Sequence, residues 1–268
     1  MGLLAFALSA AILAQATAAI EQDRAGNRIE PFEAAADTSA EHCTTDRIWC
    51  ARISAEGGSL EIFDGTQAES ERVTARHLLP ASDSGDETFA IWPRIVRMPA
   101  AGAALTPRQT VFIGIETRQS TMYSGGGASA TRLTLLRVED TPGSLSRIAE
   151  ILELPIRGSA MIRACFSEED MARRAGACHD EYSFDATLSL VSETDGAPVF
   201  TYSTQATSYP GNVSRYADSL ERPPLTQRDL VRMTNETCTY RRLVRFNPVT
   251  GRYEFDRPGP DCSEYTSP

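Results

Sequence analysis

The stretch Val111-Phe112-Ile113-Gly114-Ile115-Glu116 decides the predicted fold class of this chain. Its β-branched residues occupy every second position, so they share one face of an extended strand and the intervening residues share the other. A similar alternation marks residues 132–139 and 184–190. Residues 144–154 fit either a helix or a strand, and we predict a strand because the turn Asp140-Thr141-Pro142-Gly143 before them favours a hairpin.

Strands at this spacing, separated by Gly and Pro turns, predict a mainly β protein. We expect antiparallel sheets in a β-sandwich or barrel-like arrangement, with one to three short helices. An irregular β-propeller is the alternative, although no repeat of fixed period supports it. Pro93 interrupts the strand-like residues 89–98 and predicts an edge strand or two short pieces. Residues 66–79 fit either a helix that begins at a capping-box pattern or a strand over residues 72–78.

The first residues have the composition of a secretory signal peptide. Gly2 to Ala14 contains no charged residue, and small residues follow at positions 14, 16 and 18. The run is shorter than the ~20 apolar residues that span a bilayer, so we expect no transmembrane anchor after signal removal. We assign residues 1–18 to a signal peptide, 19–45 to a loose N-terminal segment and 46–268 to a single β domain. Two β subdomains that divide near residues 157–160 are the alternative to the single domain.

The formal net charge is −10, and all 26 basic residues are arginines. Nucleic acids and anionic membranes are bound through clustered positive charge. The composition therefore predicts no nucleic-acid partner and leaves the identity of any other partner unknown.

The six cysteines form three neighbouring couples, and an even number is typical of disulfides in an exported chain. One couple closes a short loop beside Trp49, one closes an excursion that begins with a capping-box pattern at residues 167–170, and one flanks a hairpin turn at residues 247–251. No C-x-x-C pair occurs, which argues against zinc or thioredoxin-like redox chemistry. We predict the disulfides Cys43–Cys50, Cys165–Cys178 and Cys238–Cys262.

The sequence lacks the short motifs of common enzyme classes. There is no G-x-S-x-G, no H-E-x-x-H and no phosphate-binding or dinucleotide fingerprint. His42 and His179 adjoin cysteines, which leaves His77 as the base of any Ser-His-Asp arrangement. A pair of carboxylates that meets in space stays open, because it leaves no sequence signature. We predict no catalytic residue, cofactor or metal, and the acidic residues 83–87, which do not fit an EF-hand loop, are interpreted as a solvated loop.

The segment from Ser120 to Ser129 is predicted to be a loop and is the candidate binding site. It joins two well-predicted strands, is longer than a hairpin requires, and combines Gly with Tyr and Ser, which suit adaptable contacts. A passive connection between the strands is the competing interpretation. The residues expected to make contacts are Met122, Tyr123, Ser124, Gly125, Gly126 and Gly127.

The C-terminal third, from Cys178-His179-Asp180-Glu181-Tyr182 to Asp261-Cys262-Ser263-Glu264-Tyr265, resembles uncharacterised exported proteins of Gram-negative bacteria. The resemblance implies export and disulfides, and it assigns no site. We expect a periplasmic or secreted protein without catalytic activity that serves binding or envelope maintenance. A hydrolase that acts on envelope polymers through carboxylates is the alternative, and a subunit of a larger envelope complex is the third hypothesis.

Overall fold

The structure is a computed structural model that describes residues 19–35, 38–55, 58–67, 73–80, 86–99, 110–139 and 146–268. Within these residues the chain forms two antiparallel sheets, of eleven and five strands, and two short helices. The prediction of a mainly β protein with antiparallel sheets is confirmed. The predicted signal peptide, at residues 1–18, lies outside the described residues.

The larger sheet contains most of the strands. Its members are β1 (Glu21–Gln22), β2 (Arg28–Pro31), β8 (Glu87–Arg97), β9 (Thr110–Tyr123), β10 (Gly126–Glu139), β11 (Arg147–Arg163), β12 (His179–Leu190), β13 (Phe200–Tyr209), β14 (Met233–Thr234), β15 (Arg241–Asn247) and β16 (Arg252–Phe255). The spatial order is β1-β2-β8-β9-β10-β11-β12-β13-β15-β16, and β14 pairs with β13. The run from β8 to β13 follows the order of the chain, as short connections between antiparallel strands require.

The smaller sheet is formed near the N-terminus, and both helices lie in the C-terminal half. The five strands are β3 (Glu33–Ala35), β4 (Thr38–Cys43), β5 (Cys50–Ile53), β6 (Ser59–Phe63) and β7 (Val73–Leu78), and the helices are α1 (Glu168–Arg173) and α2 (Ser263–Thr266). Strand β7 confirms the strand interpretation of this region and shows that a helix continuing to residue 79 is wrong. Helix α1 begins where the capping-box pattern predicts it, because the Asp170 amide donates to the Ser167 hydroxyl at 3.1 Å.

The alternation in β9 separates two hydrophobic cores. Val111, Ile113 and Ile115 face the smaller sheet and pack in the core between the two sheets. Phe112 points to the opposite side, into a second core enclosed by the larger sheet. The two-residue periodicity of this strand therefore positions both layers of the fold.

The larger sheet curves strongly around the second core. The ring of Phe112 in β9 meets the ring of Tyr253 in β16 at 5.7 Å between centroids, although five strands separate β9 and β16 in the sheet order. At the other end of the sheet, the Leu190 amide donates to the Glu21 carboxylate at 2.6 Å. The sheet is therefore barrel-like in its curvature, but the described strands do not close into a barrel.

The prediction of a loose segment at residues 19–45 is wrong for the described residues, which contribute four strands. Ile29 of β2 is fully buried, and its neighbour Glu30 is also buried and pairs with Arg97 at 3.0 Å. Because an ion pair occupies one of the buried positions, these short strands lack the apolar alternation that marks the longer ones. Ordered structure thus begins well before Asp46, where the sequence pattern predicts it.

Pro93 lies in an interior strand and not at an edge. Strand β8 pairs with β2 on one side and with β9 on the other, so the edge-strand prediction is wrong. The register with β9 shifts between Ile91 and Ile95, which places Pro93 in a bulge where no N–H is needed for the ladder. The alternative domain boundary near residues 157–160 falls inside β11, which pairs with β10 before and after it.

Candidate functional site

The segment predicted to be a binding loop is the tip of a long hairpin. Strand β9 continues to Tyr123, Ser124 and Gly125 form the turn, and β10 begins at Gly126, so the loop prediction is wrong. Gly125 permits the turn, and Gly126 permits a close approach of β10 to the backbone of β11. A Cβ on Gly126 would lie 2.0 Å from the Met161 carbonyl oxygen, and Gly125 adopts a positive φ of 95° in the turn.

The two serines that bound this segment, Ser120 and Ser129, lie opposite each other in the hairpin and begin a row of hydroxyl side chains. The pairing continues strand by strand, so that six consecutive strands each contribute one serine or threonine. We name this set the hydroxyl row, and its members are Ser120, Ser129, Ser159, Ser183, Thr207 and Thr234. Directly paired residues share a face of the sheet, so the hydroxyls lie side by side.

The hydroxyl row is open to solvent. Every member is at least partly exposed, and the hydroxyl oxygens of Ser129 and Ser159 lie 3.0 Å apart. Neighbouring strands are ~4.8 Å apart, so six strands carry the row over about 24 Å. Each hydroxyl can both donate and accept a hydrogen bond. The row is therefore a line of evenly spaced, two-way hydrogen-bonding groups.

Longer side chains flank the hydroxyl row on both sides in every strand that contributes to the flanking rows except β10, which contributes Gly127 and Thr131. The methionine row lies two positions from the hydroxyl row along each strand, on the side of the hairpin tip. Its members are Met122, Gly127, Met161, Glu181 and Tyr209. The arginine row lies two positions from the hydroxyl row on the opposite side, away from the hairpin tip. Its members are Arg118, Thr131, Arg157, Asp185 and Gln205. Because serine and threonine are shorter than most of their neighbours, the hydroxyl row forms the floor of a shallow trough. An open depression at its centre is lined by Ser159, Ser183 and Thr207, with Met161, Glu181 and Arg232 at its margin.

The walls of the trough are partly apolar and close to neutral in charge. Met122 is 85% exposed and Met161 is 47% exposed, which is high for such side chains. Arg232 forms an ion pair with Glu181 and lies over the Tyr209 ring at 6.0 Å. With Arg118, Arg157 and Asp185, the trough carries three arginines and two carboxylates, in contrast to the strongly acidic chain as a whole.

The predicted binding residues divide between this trough and the turn. Met122 and Gly127 belong to the methionine row, where a Cβ on Gly127 would lie 2.8 Å from the Met122 sulfur. Tyr123 and Ser124 are exposed at the tip of the hairpin. The sequence therefore indicated one end of the trough and missed the rest, because the other row members are dispersed over residues 118–234 and only the strand register brings them together.

The three histidines are separated in the structure. His42 lies in β4 beside Phe32, and burial lowers the pKa of its imidazole. His179 is exposed at the start of β12. His77 in β7 lies at the rim between the two sheets, 3.6 Å from the Glu150 carboxylate. Among the described residues, no three His, Cys, Asp or Glu side chains come together as a metal site requires, and residues 83–85 of the acidic stretch lie outside the described part.

All three predicted disulfides are present: Cys43–Cys50, Cys165–Cys178 and Cys238–Cys262. Three such bonds indicate an oxidising, extracytoplasmic environment. In the part of the chain that the structure describes, neither helix has the length and apolar character needed to cross a bilayer. Comparisons of the chain with models of protein families, with curated proteins and with solved structures give no match.

Proposed function

We propose that this chain is a periplasmic or secreted binding protein, without catalytic activity, that holds a neutral glycan chain in the trough over the hydroxyl row. The observation that carries the proposal is the uninterrupted row of hydroxyls across six strands. Sugar hydroxyls donate and accept hydrogen bonds, and the serine and threonine hydroxyls of the row offer the same two-way capacity. An extended glycan can therefore pair with successive strands along the row.

The position of the row favours a glycan over a polypeptide. Extended peptides that join sheets bind at an edge, where backbone groups are unpaired. The row crosses the interior strands β10 to β13, whose backbone groups are already paired on both sides. A folded protein partner would be expected to bury an apolar, aromatic-rich centre. The centre of this trough consists of small hydroxyl side chains.

Charge favours a neutral polymer. The whole chain has a formal charge of −10, which repels a polyanion at long range. The trough itself balances three arginines with two carboxylates.

Twist favours a soluble chain over a crystalline surface, since adjacent strands rotate by roughly 20–25° and the row turns through about 100° in total. A flexible chain follows such a path, and a flat crystal face cannot.

The test compares soluble neutral glycans with other polymers. Calorimetric titration of the protein with chito-oligosaccharides and a soluble β-glucan should show binding of at least one of them. A polyuronate and insoluble crystalline chitin should bind more weakly. Preferential binding of the polyuronate, or no binding of either neutral glycan, would contradict the proposal.

A matched pair of triple variants locates the binding. Ser129→Ala, Ser159→Ala and Ser183→Ala together remove three hydroxyls from the floor of the trough. At about 0.5–1.5 kcal/mol for each lost hydrogen bond, the affinity should fall by about tenfold or more. The control is the combination of Thr187→Ala, Ser189→Ala and Ser203→Ala, which removes three hydroxyls from β12 and β13 outside the row. Equal losses in both variants would show that the row is not the binding surface.

A further inference from the structure

A second site lies on another part of the molecule, at the rim between the two sheets. Strand β7 is the last strand in the order of the smaller sheet. A cleft of about 230 Å³ opens at this position. It is separate from the trough and from the glycan proposal, because no member of the hydroxyl row lines it.

The floor of the cleft is apolar and buried. Ile115, Ala130 and Leu79 line it and are almost fully buried, and Phe89 lies beside them, half-buried. Leu79, Ile115 and Phe89 belong to the core between the sheets. The cleft therefore offers a preformed apolar surface, as small-molecule sites commonly do.

The walls of the cleft carry an excess of negative charge. Three carboxylates line it, on Glu87, Glu150 and Glu153, together with one guanidinium on Arg132. The Arg132 guanidinium lies 3.6 Å from the Glu153 carboxylate and therefore compensates one of the three negative charges. Glu87 accepts a hydrogen bond from the Gln119 amide at 3.2 Å, a neutral group that leaves its charge uncompensated.

Glu150 faces His77, whose Nε2 lies 3.6 Å from the carboxylate oxygen and whose side chain is only 21% exposed. The histidine thus narrows the cleft beside a second carboxylate. An apolar floor flanked by Glu87 and Glu150 matches a molecule with an apolar body and a positive head, because the charge is stabilised by carboxylates and the body by the buried floor. The volume is below the about 300–1,000 Å³ typical of drug-sized ligands, so the ligand is small.

We propose that this cleft binds a small organic cation, such as an aryl-alkyl amine. The apolar body rests on Phe89, Ile115 and Ala130, and the ammonium group lies between Glu87 and Glu150. The binding requires no metal ion and no covalent step.

Three probes of nearly equal size test the proposal: benzylamine, benzyl alcohol and benzoate. Titration of the full chain at neutral pH, followed by NMR or calorimetry, should give a dissociation constant for benzylamine at least about tenfold lower than that for benzyl alcohol. Benzoate should bind most weakly. Equal affinities for benzylamine and benzyl alcohol would overturn the proposal.

The variants separate the site from the general acidity of the chain. Glu87→Gln with Glu150→Gln should abolish the preference for benzylamine and keep the weak binding of benzyl alcohol. The control variant, Glu221→Gln with Glu236→Gln, removes the same charge at two exposed positions away from the cleft and should keep the preference. Ala130→Leu fills the floor and should weaken benzylamine and benzyl alcohol alike. Retention of the preference in the Glu87/Glu150 variant, or unchanged binding in Ala130→Leu, would contradict the assignment.

Discussion

The guanidinium of Arg174 donates a hydrogen bond to the carboxylate of Asp180, and both side chains are almost completely buried. Two further polar atoms of the pair also form hydrogen bonds. Arg174 donates through Nε to the Ala177 carbonyl at 2.8 Å, and Asp180 accepts a hydrogen bond from the Ser219 hydroxyl. The pair therefore joins the segment closed by Cys165–Cys178 to the first residues of β12 and to the chain near residue 219.

Removal of one partner of this pair should cost far more than removal of both. Asp180→Leu leaves the Arg174 charge buried without its carboxylate, and we expect a loss of about 3–5 kcal/mol in the free energy of unfolding. The double variant Arg174→Met with Asp180→Leu should lose less than Asp180→Leu alone. Urea unfolding of both single variants and the double variant measures the coupling. Strict additivity of the two single losses would contradict the expectation.

Two buried tyrosines should respond differently to removal of the hydroxyl. The Tyr202 hydroxyl donates to the Pro155 carbonyl at 2.6 Å, so Tyr202→Phe should destabilise by about 1–2 kcal/mol. The Tyr182 hydroxyl is buried and has no hydrogen-bond partner among the described residues. Tyr182→Phe should therefore change stability by less than about 0.5 kcal/mol, or increase it. Thermal unfolding of the two variants measures both losses of stability. A larger loss for Tyr182→Phe than for Tyr202→Phe would contradict the expectation.

The hairpin tip should be intolerant of any side chain at Gly126. In Gly126→Ala the new Cβ would overlap the Met161 carbonyl oxygen, and the backbone of β11 would have to move. We expect a loss of about 1–3 kcal/mol, together with perturbed amide signals in β11. The control is Gly259→Ala, whose Cβ would meet the Tyr240 hydroxyl at an ordinary 3.5 Å. Equal stability of the two variants would show that the close approach at Gly126 is not needed.

Acid should weaken the smaller sheet through Glu61. Hydrogen bonds from Arg52, at 2.9 Å, and from Arg76 lower the pKa of the Glu61 carboxyl, whose side chain is buried among them. A lowered folded-state pKa stabilises the protein above the ordinary value of 4.5, and this stabilisation is lost as the pH falls through the folded-state value. Glu61→Gln should therefore be less stable than the native chain at pH 7. The difference should shrink below pH 4.5, and a difference independent of pH would contradict this account.

The pKa of the Glu116 carboxyl is raised, chiefly because burial disfavours its charged form, although Arg157 partly opposes the shift. A raised folded-state pKa has the opposite effect on the pH dependence of stability. The group favours folding while it is protonated and opposes folding once the carboxylate forms. Glu116→Gln should therefore be at least as stable as the native chain at pH 7 and lose that advantage in acid. Chemical unfolding of the native chain and of Glu116→Gln at pH 7 and at acidic pH tests this expectation. A large destabilisation of Glu116→Gln at pH 7 would contradict it.

Local patterns in the sequence predicted the strands that bury one apolar face. The alternation at residues 111–116 correctly assigned Val111 and Phe112 to opposite faces, because one long strand separates two cores. The disulfides were also predictable, since each cysteine couple lies in one local turn or excursion. Both features depend on residues that are near in sequence.

Features that depend on register were not predictable in this way. Ser159 and Ser183 are ordinary polar positions in their own strands, and only the pairing of β11 with β12 places them side by side. Strand β2 was missed because the buried Glu30, which pairs with Arg97 of β8, occupies a position where apolar residues mark other strands. Pro93 misled the prediction because a bulge accommodates it inside the sheet.

The connectivity of the disulfides also determines what the chain requires in order to become oxidised. Each disulfide joins two cysteines that are consecutive along the chain: 43 with 50, 165 with 178 and 238 with 262. When synthesis or translocation delivers the chain from its N-terminus, each couple is complete before the first cysteine of the following couple emerges. We therefore expect an oxidase that joins thiols in order of appearance to produce the native set directly, without an isomerase to reshuffle wrong bonds.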